Sequence, residues 1–289
     1  VTHSVRKSTA LTVLGVVLGS LAGCGGPGSA PADGPPAAGR TPVAAHAPSH
    51  AASAPPTLAP GPGARTPVFE RGVKAGEKVV ALTFDADMTA DEGPRAAAGE
   101  HFDNPGLIDL LRRAKVPATV FMTGRWADEY PAQARSIGAD PLFEVGNHSY
   151  SHYAFKSPCY GLPAVAKDDM RAEVARASAS FRKAGVRNTV PYFRFPGGCY
   201  DDASLRALAP EKVTAVQWDV ISGDAFATDP DAVAEQVLDE VKPGSLVVMH
   251  CTLSAAPVTD EAVERIVPEL RERGYRFVKV SDLIRAAQR

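Results

Sequence analysis

The sequence predicts an α/β fold built on a parallel sheet, and three observations carry that prediction. From about Thr66 to Arg289 seven apolar runs of strand length alternate with stretches of helical periodicity. That span has a globular composition and a length suited to one domain with a sizeable core. The residues able to do chemistry cluster where the apolar runs end, as they do in β/α architectures, whose sites form at strand ends.

The strand candidates, in order, are KVVALTF, ATVFMTG, LFEVGNH, PYFRFPG, VTAVQWDV, GSLVVMH and YRFVKV. Each is rich in β-branched or aromatic residues and short enough to be a strand. Between them lie NPGLIDLLRRAK, DDMRAEVARASASFRKAG, DDASLRALA, DPDAVAEQVLDEV and TDEAVERIVPELRERG, whose apolar residues recur at helical spacing. The number of β-α units suits a barrel, and an open doubly wound sheet would give the same pattern. No internal repeat of fixed period is present.

Upstream, the chain reads as a leader and a tether. Arg6 and Lys7 precede an apolar stretch from Ala10 to Ala22, followed by LAGC. That layout is an export signal over residues 1–24, and LAGC resembles a lipobox with Cys24 as the lipidated residue. Residues 25–65 are almost wholly Gly, Pro, Ala and Ser, a composition that buries too little apolar surface to order itself. The expected location is therefore the outer face of a bacterial cell membrane, held by a lipid anchor. With 31 basic and 33 acidic residues, a net charge of −2 excludes the basic field of a nucleic-acid binder. No protein partner is indicated.

Candidate site residues fall at strand ends. LTFDAD ends a strand on Asp85 and Asp87, and NHSYSH places His148 and His152 four apart, one helical turn, the spacing of paired metal ligands. From Thr66 onward there are only four histidines, and three of them, His148, His152 and His250, follow predicted strands. Two imidazoles and a carboxylate suit a divalent metal, while a second carboxylate can act as a base. Arg194 in YFRFPGG can hold a carboxylate ionised, and Gly197 lets a backbone N–H approach a ligand closely. His250, ending SLVVMH, suits a general acid oriented by Asp224.

Together, TFDAD, HSYSH, RFPGG, WDVISGDAF and LVVMH resemble the five ordered motifs of the NodB-homology polysaccharide deacetylases, carbohydrate esterase family 4. The resemblance runs from Lys78 to about Ile284. It implies a distorted (β/α) barrel of about seven strands and removal of acetyl groups from a polysaccharide, peptidoglycan or chitin-like N-acetyl sugars first, with zinc or another divalent metal as cofactor. It further implies Asp85 as general base braced by Arg194, Asp87, His148 and His152 as metal ligands, the Gly197 N–H as oxyanion donor, and His250 tuned by Asp224 as general acid. Val248, Phe226 and Trp218 would line the substrate pocket.

The sequence departs from the commoner pattern at Ala86, where a metal-binding Asp is usual, so Asp87 must take that place at the frayed end of the strand. Ile221 and Ala225 replace a usual Asp and Trp. These departures leave two alternatives: a glycan-binding protein without catalysis, and a hydrolase of another small amide. Cys159, Cys199 and Cys251 all follow strands. Cys159 and Cys199, from neighbouring strand-loop units, are the expected disulfide, leaving one free thiol.

Overall fold

The computed structural model describes residues 54–72 and 77–289. The export signal, Cys24 and the tether as far as residue 53 lie outside the described residues. The expected tether does not run free to Arg65. The Pro56 carbonyl accepts from the Tyr192 hydroxyl, the Thr57 carbonyl from the Gln288 amide, and the Leu58 N–H donates to Thr214. Ordered structure thus begins upstream of Thr66. Among the described residues no helix is long and apolar enough to cross a membrane.

The strands are β1 (Val68–Phe69), β2 (Val79–Ala86), β3 (Ala118–Met122), β4 (Phe143–Asn147), β5 (Thr189–Phe193), β6 (Thr214–Val216), β7 (Val220–Ile221), β8 (Ser245–His250) and β9 (Arg276–Phe277). The helices are α1 (Gly93–Ala97), α2 (Pro105–Arg113), α3 (Gly124–Glu129), α4 (Pro131–Ala139), α5 (Met170–Ala184), α6 (Asp202–Leu208), α7 (Pro230–Glu240), α8 (Thr259–Glu272) and α9 (Val280–Ala287). All the strand pairs are parallel, in the order β1-β6-β5-β4-β3-β2-β8-β7, with β9 paired to the start of β2. The result is a curled sheet with helices, the distorted β/α barrel expected.

Alternation along β2 sets the whole layout, because successive side chains point to opposite faces. Val80, Leu82, Phe84 and Ala86 join the larger core, which packs beneath the helices. Val79 and Ala81 join a second core with Phe121, Tyr192, Val216 and Leu246, closed by Val280, Leu283 and Ile284 of α9. Thr83 and Asp85 continue that inner face towards the carboxyl end of the strands. Every residue of β2 is buried, which is why the run, Thr83 apart, reads as apolar until its acid.

Two elements differ from expectation for tertiary reasons. VTAVQWDV divides into β6 and β7, because Gln217 and Trp218 turn in against Gly198 and Arg194 instead of continuing the ladder. YRFVKV yields only β9, since Lys279 opens α9 and Val280 packs inside the sheet. Helix α5 stops at Gly185, whose φ of 85° needs a glycine.

Candidate active site

Asp85 and His250 are register partners on adjacent strands β2 and β8, so both project from the same end of the sheet. Asp85 is 4% exposed, and one of its oxygens accepts a 2.7 Å hydrogen bond from Arg194 Nη1. Arg194, just past β5, is fully buried. It also donates to Thr83 Oγ1 (2.8 Å) and to the carbonyls of Val216 and Gln217, and its guanidinium lies over the rings of Phe121 and Trp218. A buried cation with this many acceptors is fixed in place and charged. The second Asp85 oxygen faces His148 Nε2 at 3.6 Å.

His148 follows β4 and is buried. Its Nδ1 sits 2.9 Å from the Arg194 carbonyl, an acceptor only, so Nδ1 carries the proton and Nε2 presents a lone pair. Burial pulls its pKa down to about 4, against the opposing pull of Asp85, and the ring is neutral at pH 7. His152 Nε2 lies 3.4 Å from Asp87 Oδ2, and the two imidazole rings are 4.9 Å apart between centroids. The pair does share one side, but not through the helical turn the spacing suggested. The chain reverses through left-handed residues at Ser149 (φ 67°) and His152 (φ 57°), and the His152 N–H donates to Ser149 Oγ.

The pleat of β2 and the end of the strand at Ala86 together account for the Asp-Ala-Asp spacing. β2 keeps its register with β3 through Ala86, paired with Met122, and Ala86 is fully buried in the outer core. A carboxylate there would enter an apolar layer, whereas Asp87 comes just past the strand. Asp87 accepts from Thr252 Oγ1 at 2.7 Å. Burial pushes its pKa up, but His152, His250 and the Thr252 hydrogen bond outweigh that, and it falls below the ordinary carboxyl value.

His250 Nδ1 is 2.8 Å from Asp224 Oδ1, and its backbone N–H donates to Asp224 Oδ2 at 2.7 Å. Asp224 is 1% exposed and accepts from Ser222 and Thr259 hydroxyls as well. Burial opposes the imidazolium, yet the Asp224 charge and hydrogen bond prevail and lift the His250 pKa to about 10. Burial likewise raises the Asp224 carboxyl, but His250 outweighs it and the net shift is downward.

Gly197 stands in a tight turn after Arg194 with φ 62°, and a Cβ there would lie 2.6 Å from Cys159 Sγ. The Cys159–Cys199 disulfide is formed and packs against this turn. Cys251 is the free cysteine among the described residues. It is buried, and burial raises its thiol to about 12. Val248 is buried on β8 opposite Thr83 and Ile221, and Trp218 braces Arg194. Phe226 is 83% exposed, so it lines no closed pocket and stands on the rim. Thr83 and Thr252, which bond Arg194 and Asp87, escaped sequence reasoning. Thr83 alone had a signal, as a polar residue in an otherwise apolar strand.

Among the described residues, no three His, Cys, Asp or Glu side chains are drawn into a closed ligand shell. The donor chemistry nevertheless fits a divalent metal ion. A neutral imidazole Nε2 held by its own second nitrogen, a second imidazole, and a carboxylate below its ordinary pKa all stand at one rim.

A family model for polysaccharide deacetylases matches residues 72–216. A chitooligosaccharide deacetylase of Sinorhizobium fredii is 30% identical over 198 residues, covering 65% of this chain and 86% of that protein. A peptidoglycan-N-acetylglucosamine deacetylase of Bacillus cereus is 29% identical over 216 residues, covering 74% and 91% respectively. Among solved structures, a carbohydrate esterase family 4 pseudoenzyme from Bacillus anthracis matches with a TM-score of 0.61 at 26% identity, over 78% of this chain and 70% of that one. The family model spans half of the chain, and the sheet brings the strand-end residues of all five motifs to one mouth: the chain belongs to the polysaccharide deacetylase family.

Proposed function

We propose that the protein is a metal-dependent deacetylase acting on an N-acetylated polysaccharide of the cell envelope or surroundings. One observation carries this reading above all: Asp85, held by buried Arg194, and His250, held by buried Asp224, stand as register partners, one able to accept a proton and the other to give one. Asp85 takes the proton of the attacking water through the oxygen that Arg194 leaves free. The Gly197 N–H donates to the oxygen of the acetyl carbonyl as charge develops on it. His250, an imidazolium at neutral pH, donates from Nε2 to the departing sugar nitrogen, and acetate is released. Asp87, His148 and His152 would hold the metal, zinc first, which supplies Lewis acidity at the carbonyl and a more acidic water.

The three exposed large apolar side chains among the described residues, Tyr160, Ile221 and Phe226, are all on or beside the loops that follow strands at this mouth. Tyr160 and Phe226 also hold left-handed backbone (φ 45° and 60°), a conformation that costs a bulky residue free energy. Exposed aromatic faces on the rim favour a sugar polymer over a small amide. The leader and Cys24 support export and lipid anchoring at the outer membrane face, in keeping with a surface polymer as substrate.

The test is acetate release from chito-oligomers, peptidoglycan and acetylated xylan by chain stripped with a chelator, before and after zinc is added. We expect zinc-restored release, faster on oligomers than on N-acetylglucosamine itself. A folded, zinc-loaded protein that releases no acetate would overturn this reading and leave a glycan-binding protein without catalysis or a hydrolase of another small amide. Loss of catalysis in this fold has a precedent in the Bacillus anthracis pseudoenzyme, a mutant of which has restored enzymatic activity. In the producing cells, Cys24→Ala should move the protein from the membrane to the soluble fraction, and unchanged fractionation would exclude the lipid anchor.

A further inference from the structure

The loop from His148 to His152 carries two of the three candidate metal ligands, yet its own backbone works against its shape. Ser149 and His152 both occupy the left-handed region, which disfavours any residue but glycine. The loop is held from outside. Its carbonyls at Ser149 and Tyr150 accept from the N–H groups of Gly124 and Arg125, at the start of α3, each at 3.0 Å. Its amides go the other way. The N–H groups of Tyr150 (3.1 Å) and Ser151 (2.8 Å) and the Ser151 hydroxyl (2.7 Å) all donate to one oxygen, Oε2 of Glu173.

Glu173 lies in the first turn of α5 and is 7% exposed. Its other oxygen faces Arg176 Nη1 at 3.5 Å, and the Arg176 guanidinium lies 3.9 Å over the Tyr150 ring. Gly124 lets the three pieces close up, for a Cβ there would strike Tyr150 and Ala177. An acid in the first turn of a helix ordinarily complements that helix from a solvated position. This one is buried and accepts three donors from another segment.

We infer that Glu173 is a positioning residue for the metal site: by fixing the amides of Tyr150 and Ser151 it aims the imidazoles of His148 and His152 at the acids of β2. The inference rests on the metal reading above. It gives Glu173 no contact with substrate, and it predicts control over metal affinity through the loop.

The test uses the full chain, with zinc affinity measured by competition against a chromophoric chelator and the visible spectrum of the cobalt(II)-loaded protein as a reporter of ligand geometry. Glu173→Ala should weaken zinc binding about 10- to 100-fold and alter the cobalt spectrum. Glu173→Gln, which keeps an acceptor oxygen, should recover most of that loss. If Glu173→Ala fails to fold, Glu173→Asp decides: its carboxylate falls one methylene short, so weakened zinc binding in a folded protein supports the inference. Folded variants that melt at a lower temperature but bind zinc as tightly as the wild type would overturn it, leaving Glu173 a structural residue. The parent reading fails separately, if the wild type binds no zinc or His152→Ala binds it as tightly as wild type.

Discussion

Asp85→Asn is expected to lower the turnover of acetate release about 10²- to 10⁴-fold while the protein stays folded and loaded with zinc. Arg194 Nη1 occupies one Asp85 oxygen at 2.7 Å, so the other, towards His148, is the only one free to take a proton. Asparagine preserves the shape and can still accept from Arg194, but it has no basic oxygen. The arginine is not stranded by the change. Thr83 Oγ1, two carbonyls and two aromatic rings still surround it, and a stability loss of about 1–3 kcal/mol is expected. Asp87, His148 and His152 are untouched, which separates the roles of the two acids. The measurement is kcat on an acetylated oligomer, alongside zinc content and circular dichroism. Turnover within about tenfold of wild type at full zinc occupancy would remove Asp85 as the base and point to Asp87.

The parts of this site that the sequence revealed share a physical signature. Asp85, His250 and Arg194 each interrupt or end a run of apolar residues, and a polar group in that setting must be partnered or functional. The pleat then explains Ala86, which looks like damage in the one-letter string and is an outward-facing core residue in the fold. The histidine pair was found for an incomplete reason. Spacing of four suggested a helix, while the real device is a loop with two left-handed residues, which depends on donors and acceptors from α3 and α5. Such partners leave no local trace. Glu173 reads as one more acid on an amphipathic helix, and Thr252 as a loop threonine, until the fold brings each to its partner. Helix α3 was missed for a related reason: it is six residues long and starts at once after β3, capped by Thr123.

Asp224→Asn should drop the titration of His250 in the metal-free protein from about 10 to 6.5 or below, a change of about 10³-fold in the protonation equilibrium. Burial alone disfavours the imidazolium, and the Asp224 carboxylate, bonded to both the ring and the backbone N–H of His250, is what reverses it. The same reversal governs stability against pH. The folded pKa of His250 lies above the unfolded value near 6.5, so its contribution is complete below pH 6.5 and is lost as pH rises towards 10. His148 works oppositely. Its folded pKa of about 4 lies below the unfolded value, so its contribution is complete above pH 6.5 and is lost as pH falls towards 4. The metal-free wild type should therefore be most stable near pH 6.5, with a limb on either side, and Asp224→Asn should lose the alkaline limb between pH 6.5 and 9, below the range where the Cys251 thiol adds its own, while keeping the acid one. Urea unfolding across pH, with ring titrations followed by NMR, measures both. A wild-type His250 that titrates near 6.5, or a variant that keeps the alkaline limb, would end the assignment. The consequence for catalysis is direct: at pH 7 the wild-type ring holds the proton that a leaving amine needs, whereas in the variant much or all of the protein starts each cycle without it.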